Sequence, residues 1–324
     1  MNEIGVAVIG AGPWGATLAR TFARIPGVNL RWICDLDELR CAEARAAHPE
    51  VSVTAAVDEV LADPTVSAAV VAVDAPRHHS VGLQVLSADR HLLVEKPLAL
   101  SVTDASALCE AATARARVLT VGHLLLHHPA VRRAKQMLDA GLLGKPLYFE
   151  TTRTVSGTAR RGGSAWWTLA PHDVSLAVHL FDATPTAVSA VGSRDGSADF
   201  DVATSATLHF EDGRRAQVHV ARLAATKERR FSLVGAERAV SFDELAPVPT
   251  LRVSAPPGLE EDGRFTEIAI ETADPLYAQC VHFAASAASG DTTGGNAAHG
   301  LAVVRVVAAG ARSMAVGGTP VEVT

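Results

Sequence analysis

Two positions far apart in the chain carry side chains suited to moving a proton. Lys96 ends an apolar run, His91-Leu92-Leu93-Val94-Glu95-Lys96-Pro97. An ammonium beside a reacting carbon can hydrogen-bond an alcohol oxygen and stabilise the charge that grows on it. Pro97 keeps Lys96 out of helical geometry. The plain alternative is a Glu95–Lys96 ion pair that merely ends a strand. The second position is His172, in Trp166-Trp167-Thr168-Leu169-Ala170-Pro171-His172-Asp173. An imidazole titrates near neutral pH, which suits a general acid/base. Its alternative is a satisfied core histidine. Pro171 is expected to start a helix, putting His172 and Asp173 in the first turn, where a carboxylate suits the helix dipole. Ser175 and His179 then share the face of His172 approximately, while Leu176, Val178 and Leu180 pack inward. Asp173 has three readings: a ligand for a substrate hydroxyl, an orienting group, or a helix cap.

A hydride donor or acceptor is needed beside such groups, and the opening residues suggest one. Gly10-Ala11-Gly12-Pro13-Trp14-Gly15 is G-x-G-x-x-G between an apolar strand and a helix. Gly10 permits the tight turn, Gly12 lets the backbone approach a pyrophosphate, and Gly15 lets helix and strand pack closely. The helix N-terminus offers free N–H groups to the phosphates. The next strand ends at Asp35, placed to accept hydrogen bonds from the adenosine ribose. Asp35 is followed by Leu36-Asp37, with no arginine at the strand end, so NAD(H) is favoured over NADP(H).

These residues need a scaffold. Apolar runs at Ile4–Ile9, Leu30–Cys34, Ala68–Val73, Leu92–Val94 and Val118–Val121 read as strands. Helical spacing fills Trp14–Ile25, Asp37–Ala47, Arg77–Ala88 and Val102–Ala116. Runs apolar throughout suggest a parallel sheet covered on both faces, and the alternation a doubly wound Rossmann fold over residues 1–121. Residues 122–324 are expected to form an α+β domain with a large, mostly antiparallel open sheet. Its helices are expected at Pro129–Ala140, after Pro171, and near Pro275–Ser289 and Ala297–Ala315. Its strands are expected at Ala187–Val191, Ala203–Phe210, Ala216–Leu223, Arg230–Val234 and Arg238–Phe242, with a hairpin at 211–213. Residues 247–264, rich in Pro, Gly and Glu, read as a loop. The last helices can pack back toward the first domain.

Composition narrows the function classes. With 324 residues and 48% hydrophobic content, the chain can bury a large core. A net charge of −6 offers no basic surface for nucleic acid. The pairs Arg132-Arg133 and Arg229-Arg230 read as solvated faces. Four scattered cysteines, without C-x-x-C spacing, suggest neither disulfides nor zinc and fit a cytoplasmic setting. The N-terminal apolar run is too short for a membrane span and lacks the charged flank of a signal peptide. His123 and His127 are four apart, but Pro129 interrupts a continuous helix and no nearby carboxylate completes a site, so no metal is expected. Trp166 and Trp167 are candidates for stacking on a sugar or simply for packing. Arg153, Arg160 and Arg161 could grip an anionic substrate group at the pocket rim.

Several stretches together resemble the glucose–fructose oxidoreductase / inositol dehydrogenase (Gfo/Idh/MocA) family. They are GVAVIGAGPWG, CDLD, APRHHSVGLQVLSADRHLLVEKPLAL, VGHLLLHHPAVRRAKQMLDAGLLGKP, WTLAPHDVSL and PLYAQCVHFAASAASG, in family order over nearly the whole chain. The resemblance implies an NAD-dependent dehydrogenase acting on a ring secondary alcohol. The substrate would be a sugar, nucleotide sugar, aminosugar or aminoglycoside, with a cyclitol as the alternative. It implies that Lys96, His172 and Asp173 form the catalytic group. Gly10, Gly12, Pro13, Trp14, Gly15, Asp35, Ala75, His79, Glu95, Lys96 and His123 would line the cofactor. It also implies a homodimer or homotetramer. The chain departs from the family at Thr168, where many members carry an aspartate, and at Ser175, where Asp or Asn is common. The missing acid at position 168 keeps open a catalytically silent NAD-binding regulator; redox-assisted bond cleavage, which needs an extra base, is a third reading.

Overall fold

The computed structural model describes residues 3–156, 163–194, 201–254 and 265–324. In chain order the first elements are β1 (Ile4–Ile9), α1 (Pro13–Phe22), β2 (Val28–Cys34), α2 (Glu38–Ala47), β3 (Ser52–Thr54), α3 (Val57–Ala62), β4 (Ala68–Val71), α4 (His78–Ser87), β5 (His91–Val94), α5 (Val102–Ala114) and β6 (Leu119–Val121). Then come α6 (Pro129–Asp139), β7 (Pro146–Ser156), α7 (Ala165–Phe181), β8 (Ala187–Ser193), β9 (Ala203–His209), β10 (Arg215–Ala224), β11 (Glu228–Gly235), β12 (Ala239–Asp243), β13 (Thr250–Ser254) and β14 (Phe265–Ala269). The chain closes with α8 (Pro275–Ser289), α9 (Ala297–Ala315) and β15 (Val321–Glu322). Two compact units result: residues 1–124 with 274–304, and residues 125–273 with 305–324.

The first unit is a doubly wound parallel sheet in the order β3-β2-β1-β4-β5-β6. Every residue of β1, β4, β5 and β6 is buried, as a sheet covered on both faces requires. On one face α1 and α8 pack together, with Phe22 and Phe283 edge to face at 6.3 Å. Polar caps set the helix starts: Asp37 accepts from Leu39 N–H on α2, Ser101 from Asp104 N–H on α5, and Asp274 from Leu276 N–H on α8. Gly290, at φ +69°, ends α8 in the left-handed conformation. The short β3 and α3 were not expected from sequence; with three and six residues, they carry too little periodicity to read.

The second unit holds a nine-stranded sheet in the order β14-β13-β12-β11-β7-β10-β9-β8-β15. It is mostly antiparallel, and β7 runs parallel to β10. One face packs against α7 through Phe149, Val218 and Val220. Four features differ from the expectation. The central strand β7 went unread. Residues 247–264 are not all loop, since β13 lies at Thr250–Ser254; residues 255–264 lie outside the described residues. The strand β14 was also missed. Pro171 does not start a helix: α7 begins six residues earlier, capped by Ser164, whose hydroxyl accepts from Trp167 N–H. His172 and Asp173 are therefore mid-helix, and neither the first-turn nor the capping reading of Asp173 holds.

Two anchors explain that early start. The buried carboxylate of Asp201, ahead of β9, accepts from the Ser164 hydroxyl, from Trp166 N–H at 2.8 Å and from the Thr204 hydroxyl at 2.7 Å. Trp166 is fully buried, and its indole N–H donates to the Val307 carbonyl at 2.7 Å. Packing, rather than ligand stacking, is the use the fold makes of Trp166. Pro171 only removes one rung of the helix ladder, which packing on the sheet offsets.

Candidate functional site

In the first unit the carboxyl ends of β1, β4, β5 and β6 lie on one edge of the sheet, where doubly wound folds bind ligands. Gly10 leaves β1 at φ +101°, a conformation costly for any other residue. Gly15 packs so tightly that a Cβ there would lie 1.7 Å from the Gly10 carbonyl oxygen. At Gly12 the space is open: an added Cβ would meet only the Arg40 guanidinium, at 3.7 Å. Gly12 is the residue before α1, and Pro13 occupies the first helical position, where a missing N–H costs nothing. The turn is thus closed beneath and clear above, which fits a pyrophosphate at the helix N-terminus.

Asp35 follows β2. Its carboxylate accepts from Ala11 N–H at 2.6 Å and from Asp37 N–H at 2.9 Å, tying the strand end to the glycine turn. The sequence reading found no arginine at this strand end. The structure brings one from α2: the Arg40 guanidinium lies 3.5 Å from Asp35 and 3.8 Å from Asp37.

Beyond β5, Glu95 is buried and Lys96 half-buried, and the Lys96–Pro97 peptide is cis. Burial pushes the Glu95 carboxyl up, against a hydrogen bond from Trp14 and the charge of Lys96, which lower it. Lys96 N–H donates to Glu95 Oε2 at 3.2 Å. Gly122 makes room for this carboxylate, since a Cβ on it would fall 2.8 Å from Glu95 Oε1. Trp14, 40% exposed, so links the glycine turn to the Glu95–Lys96 pair. His123 follows β6, is 2% exposed, and stacks edge to face on His299 at 5.4 Å. Burial, then His299, then Lys96 hold its pKa well below the ordinary value, so the ring is neutral. Neither ring nitrogen has a hydrogen-bond partner among the described residues. Orphaned buried nitrogens are costly, and a polar ligand at the sheet edge would relieve them.

The other expected cofactor residues lie after β4. Ala75 opens a single helical turn behind Asp74. His79 is in the first turn of α4, with Nδ1 3.4 Å from Asp104. Its neighbour His78 was not singled out from the sequence, yet it is the buried one and reaches two backbone carbonyls. The adjacent histidines in APRHHSVG gave no sign of which one points inward.

In the second unit, α7 carries His172 half-buried and Asp173 buried. Asp173 takes a two-point ion pair from Arg153 of β7, at 2.8 and 3.1 Å. Burial raises the Asp173 carboxyl, while the guanidinium pulls it down; two short charge-assisted bonds favour the ionic pair. Arg153 is correspondingly buried rather than on a rim, and Glu244 lies 3.7 Å from it while also pairing with Arg229 at 2.6 Å. Arg160 and Arg161 lie outside the described residues. The Thr168 hydroxyl bonds back to the Ser164 carbonyl. Leu176, Val178 and Leu180 are buried, as the sequence suggests. Among the described residues no cluster of His, Cys, Asp and Glu could hold a metal ion, and no helix is long and apolar enough to cross a membrane.

Comparison with known proteins agrees with this arrangement. Residues 4–123 match the oxidoreductase family with an NAD-binding Rossmann fold, and residues 131–241 match the GFO/IDH/MocA C-terminal domain. The chain is 31% identical to a UDP-N-acetylglucosamine 3-dehydrogenase of Acidithiobacillus ferrooxidans over 246 residues, 76% of this chain and 75% of that one. It is 25% identical to the NAD-linked scyllo-inositol 2-dehydrogenase of Bacillus subtilis, over 75% of each chain. Among solved structures, GenD2 from gentamicin A biosynthesis, in complex with NAD, superposes with a TM-score of 0.83 at 27% identity, covering 100% of this chain and 97% of that one. The chain belongs to the Gfo/Idh/MocA family of NAD-binding oxidoreductases.

Proposed function

We propose that the chain is an NAD-dependent dehydrogenase, or in reverse a ketoreductase, for a ring secondary alcohol of a sugar, nucleotide sugar, aminosugar or aminoglycoside. One observation carries the reading. Lys96 leaves β5 on the same sheet edge as the open glycine turn, beside a buried neutral imidazole, His123, that has polar atoms to spare. Bound NAD supplies the hydride acceptor. The chain's own part is to orient the carbinol and move its proton. Lys96 donates a hydrogen bond to the alcohol oxygen and stabilises the developing alkoxide. His172, presented by α7, takes the proton as general base. Asp35 holds the adenosine ribose, while Gly12 and Pro13 leave the pyrophosphate its approach.

The first unit is the cofactor domain, and the second binds substrate and mediates assembly. The substrate class follows the relatives named for UDP-N-acetylglucosamine and for gentamicin A biosynthesis; the inositol dehydrogenase keeps cyclitols as the alternative. We place the enzyme in the cytoplasm as a homodimer or homotetramer. A silent NAD-binding regulator is the second reading, favoured by Thr168, whose hydroxyl turns to its own helix backbone where many relatives carry an acid.

The test is a panel of UDP-N-acetylglucosamine, free aminosugars, aminoglycosides and inositols incubated with NAD, with NADH formation followed by absorbance. Turnover of a sugar or aminosugar that vanishes in Lys96→Ala, while that variant still binds NADH, supports the reading. Binding of NADH with no turnover of any alcohol or of the corresponding ketones overturns it in favour of the regulator. Inositol oxidation alone moves the assignment to a cyclitol.

A further inference from the structure

His78 is fully enclosed by the first unit yet remains polar. Its Nδ1 lies 2.7 Å from the carbonyl oxygen of Pro97, and its Nε2 lies 3.0 Å from that of Val73. Both partners only accept, so each contact needs a ring N–H. Val73 ends the run after β4, and Pro97 directly follows Lys96. The imidazole is therefore a strut between two loops on the ligand-binding edge of the sheet. Burial is the main cause that lowers its pKa, with the charge of Lys96 acting the same way; the two carbonyls and Asp74 oppose them. Both carbonyls are bonded when both ring nitrogens carry a proton; with a single proton only one is, and the Pro97 contact is the shorter of the two.

We propose that His78 is a positioning residue for Lys96, acting through the carbonyl of Pro97. The proposal rests on Lys96 being the lysine that binds the alcohol oxygen. The Pro97 carbonyl belongs to the next peptide along, and the proline ring between it and Lys96 has its φ locked, so holding that carbonyl restrains the turn from which the lysine side chain leaves. An ångström of drift at the ammonium is enough to lower turnover by about 10²-fold.

The two contacts can be separated. An asparagine amide nitrogen falls near the place of Nδ1, and a glutamine amide nitrogen near that of Nε2. His78→Asn keeps a donor for Pro97, and His78→Gln keeps one only for Val73. His78→Asn is expected to retain most of the wild-type kcat. His78→Gln and His78→Ala should lose roughly 10²-fold in kcat, with KM for the sugar and Kd for NADH little changed. A second measurement needs no turnover. Hydrogen exchange of the peptide covering residues 95–101 in the cofactor-free protein should quicken in His78→Gln and His78→Ala, and stay slow in His78→Asn. Equal behaviour of the Asn and Gln variants in both assays overturns the proposal, as does an alanine variant with wild-type kcat and exchange. If the wild-type protein oxidises no alcohol, the dehydrogenase reading fails, while the exchange comparison still decides the role of His78.

Discussion

At the scale of single residues, the proposed role of Asp35 in cofactor choice is set against a neighbour of opposite charge. Its carboxylate already accepts two backbone N–H groups, so it is fixed before any ribose arrives. Arg40, 3.5 Å away, is a latent phosphate partner that Asp35 neutralises. Asp35→Ala is therefore expected to cut discrimination for NAD over NADP by roughly 10–100-fold, the worth of one charge-assisted hydrogen bond. Fluorescence titration of both reduced cofactors measures it, with Trp14 beside the glycine turn as a natural energy donor. Unchanged discrimination would remove Asp35 from ribose recognition. The placement of the glycines, Asp35 and Lys96 just beyond strand ends was legible in the sequence, because each follows closely on an apolar run. Arg40 was not, because only the turn of α2 carries it back over Asp35. The orphaned nitrogens of His123 were equally hidden, since burial against His299 depends on a segment far along the chain.

Elements were legible where their periodicity is local. β1, α8 and α9 occur at the residues expected from apolar spacing and caps. β7 failed because its buried positions include Thr151 and Arg153 beside Phe149, so inward residues do not look apolar. Arg153 can be inside because Asp173, twenty residues on, pairs with it and Glu244 lies beside it. That pair now reads as the joint between α7 and the sheet, which sets the face on which α7 displays His172. Arg153→Met should cost about 3–5 kcal/mol in urea unfolding, because it leaves the Asp173 carboxylate buried alone. A double variant with Asp173→Leu should recover much of that loss; no recovery would mean the two side chains act separately. A smaller joint links β2 to the loop after α3. Trp32 donates to Asp63 at 2.8 Å, and Thr65 bonds the same carboxylate. Hydrogen bonds from Thr65 and then Trp32 lower the Asp63 pKa from 3.8 to about 2. The folded value is below the unfolded one, so this stabilisation is complete above about pH 4. It disappears as pH falls through about 2. Asp63→Asn should lower the thermal midpoint by at most a few degrees at neutral pH, since the group is largely solvated. The gap to wild type should close in strong acid; a gap independent of pH would show that charge is not its source.

Across the whole molecule, the division of the chain follows packing rather than sequence order. Residues 274–304 return to the first unit, where Phe283 and Cys280 join the core of β1 and α1. The expectation that the last helices pack back toward the first domain anticipates this return, but nothing local in α8 says where along the chain it begins and ends. The second unit poses a different question, namely what covers its other sheet face. Along β7 and β10, buried Phe149, Ala216, Val218 and Val220 alternate with Tyr148, Glu150, Gln217 and His219, which face outward. Tyr148 is 41% exposed. The hydroxyls and amides there already pair within the face, as Ser205 with His219 and Thr207 with Gln217. An internally satisfied sheet face with an exposed aromatic suits association with a second copy, and a stable pairing buries on the order of 800 Å² per partner. Light scattering on the purified protein is expected to give twice or four times the 33.7 kDa chain mass. Tyr148→Glu places a like charge opposite itself across a two-fold axis, next to Glu150, and should shift the mass toward the monomer. Since Tyr148 faces away from α7, cofactor binding by that variant should stay at the wild-type level; an unchanged mass would place the interface elsewhere.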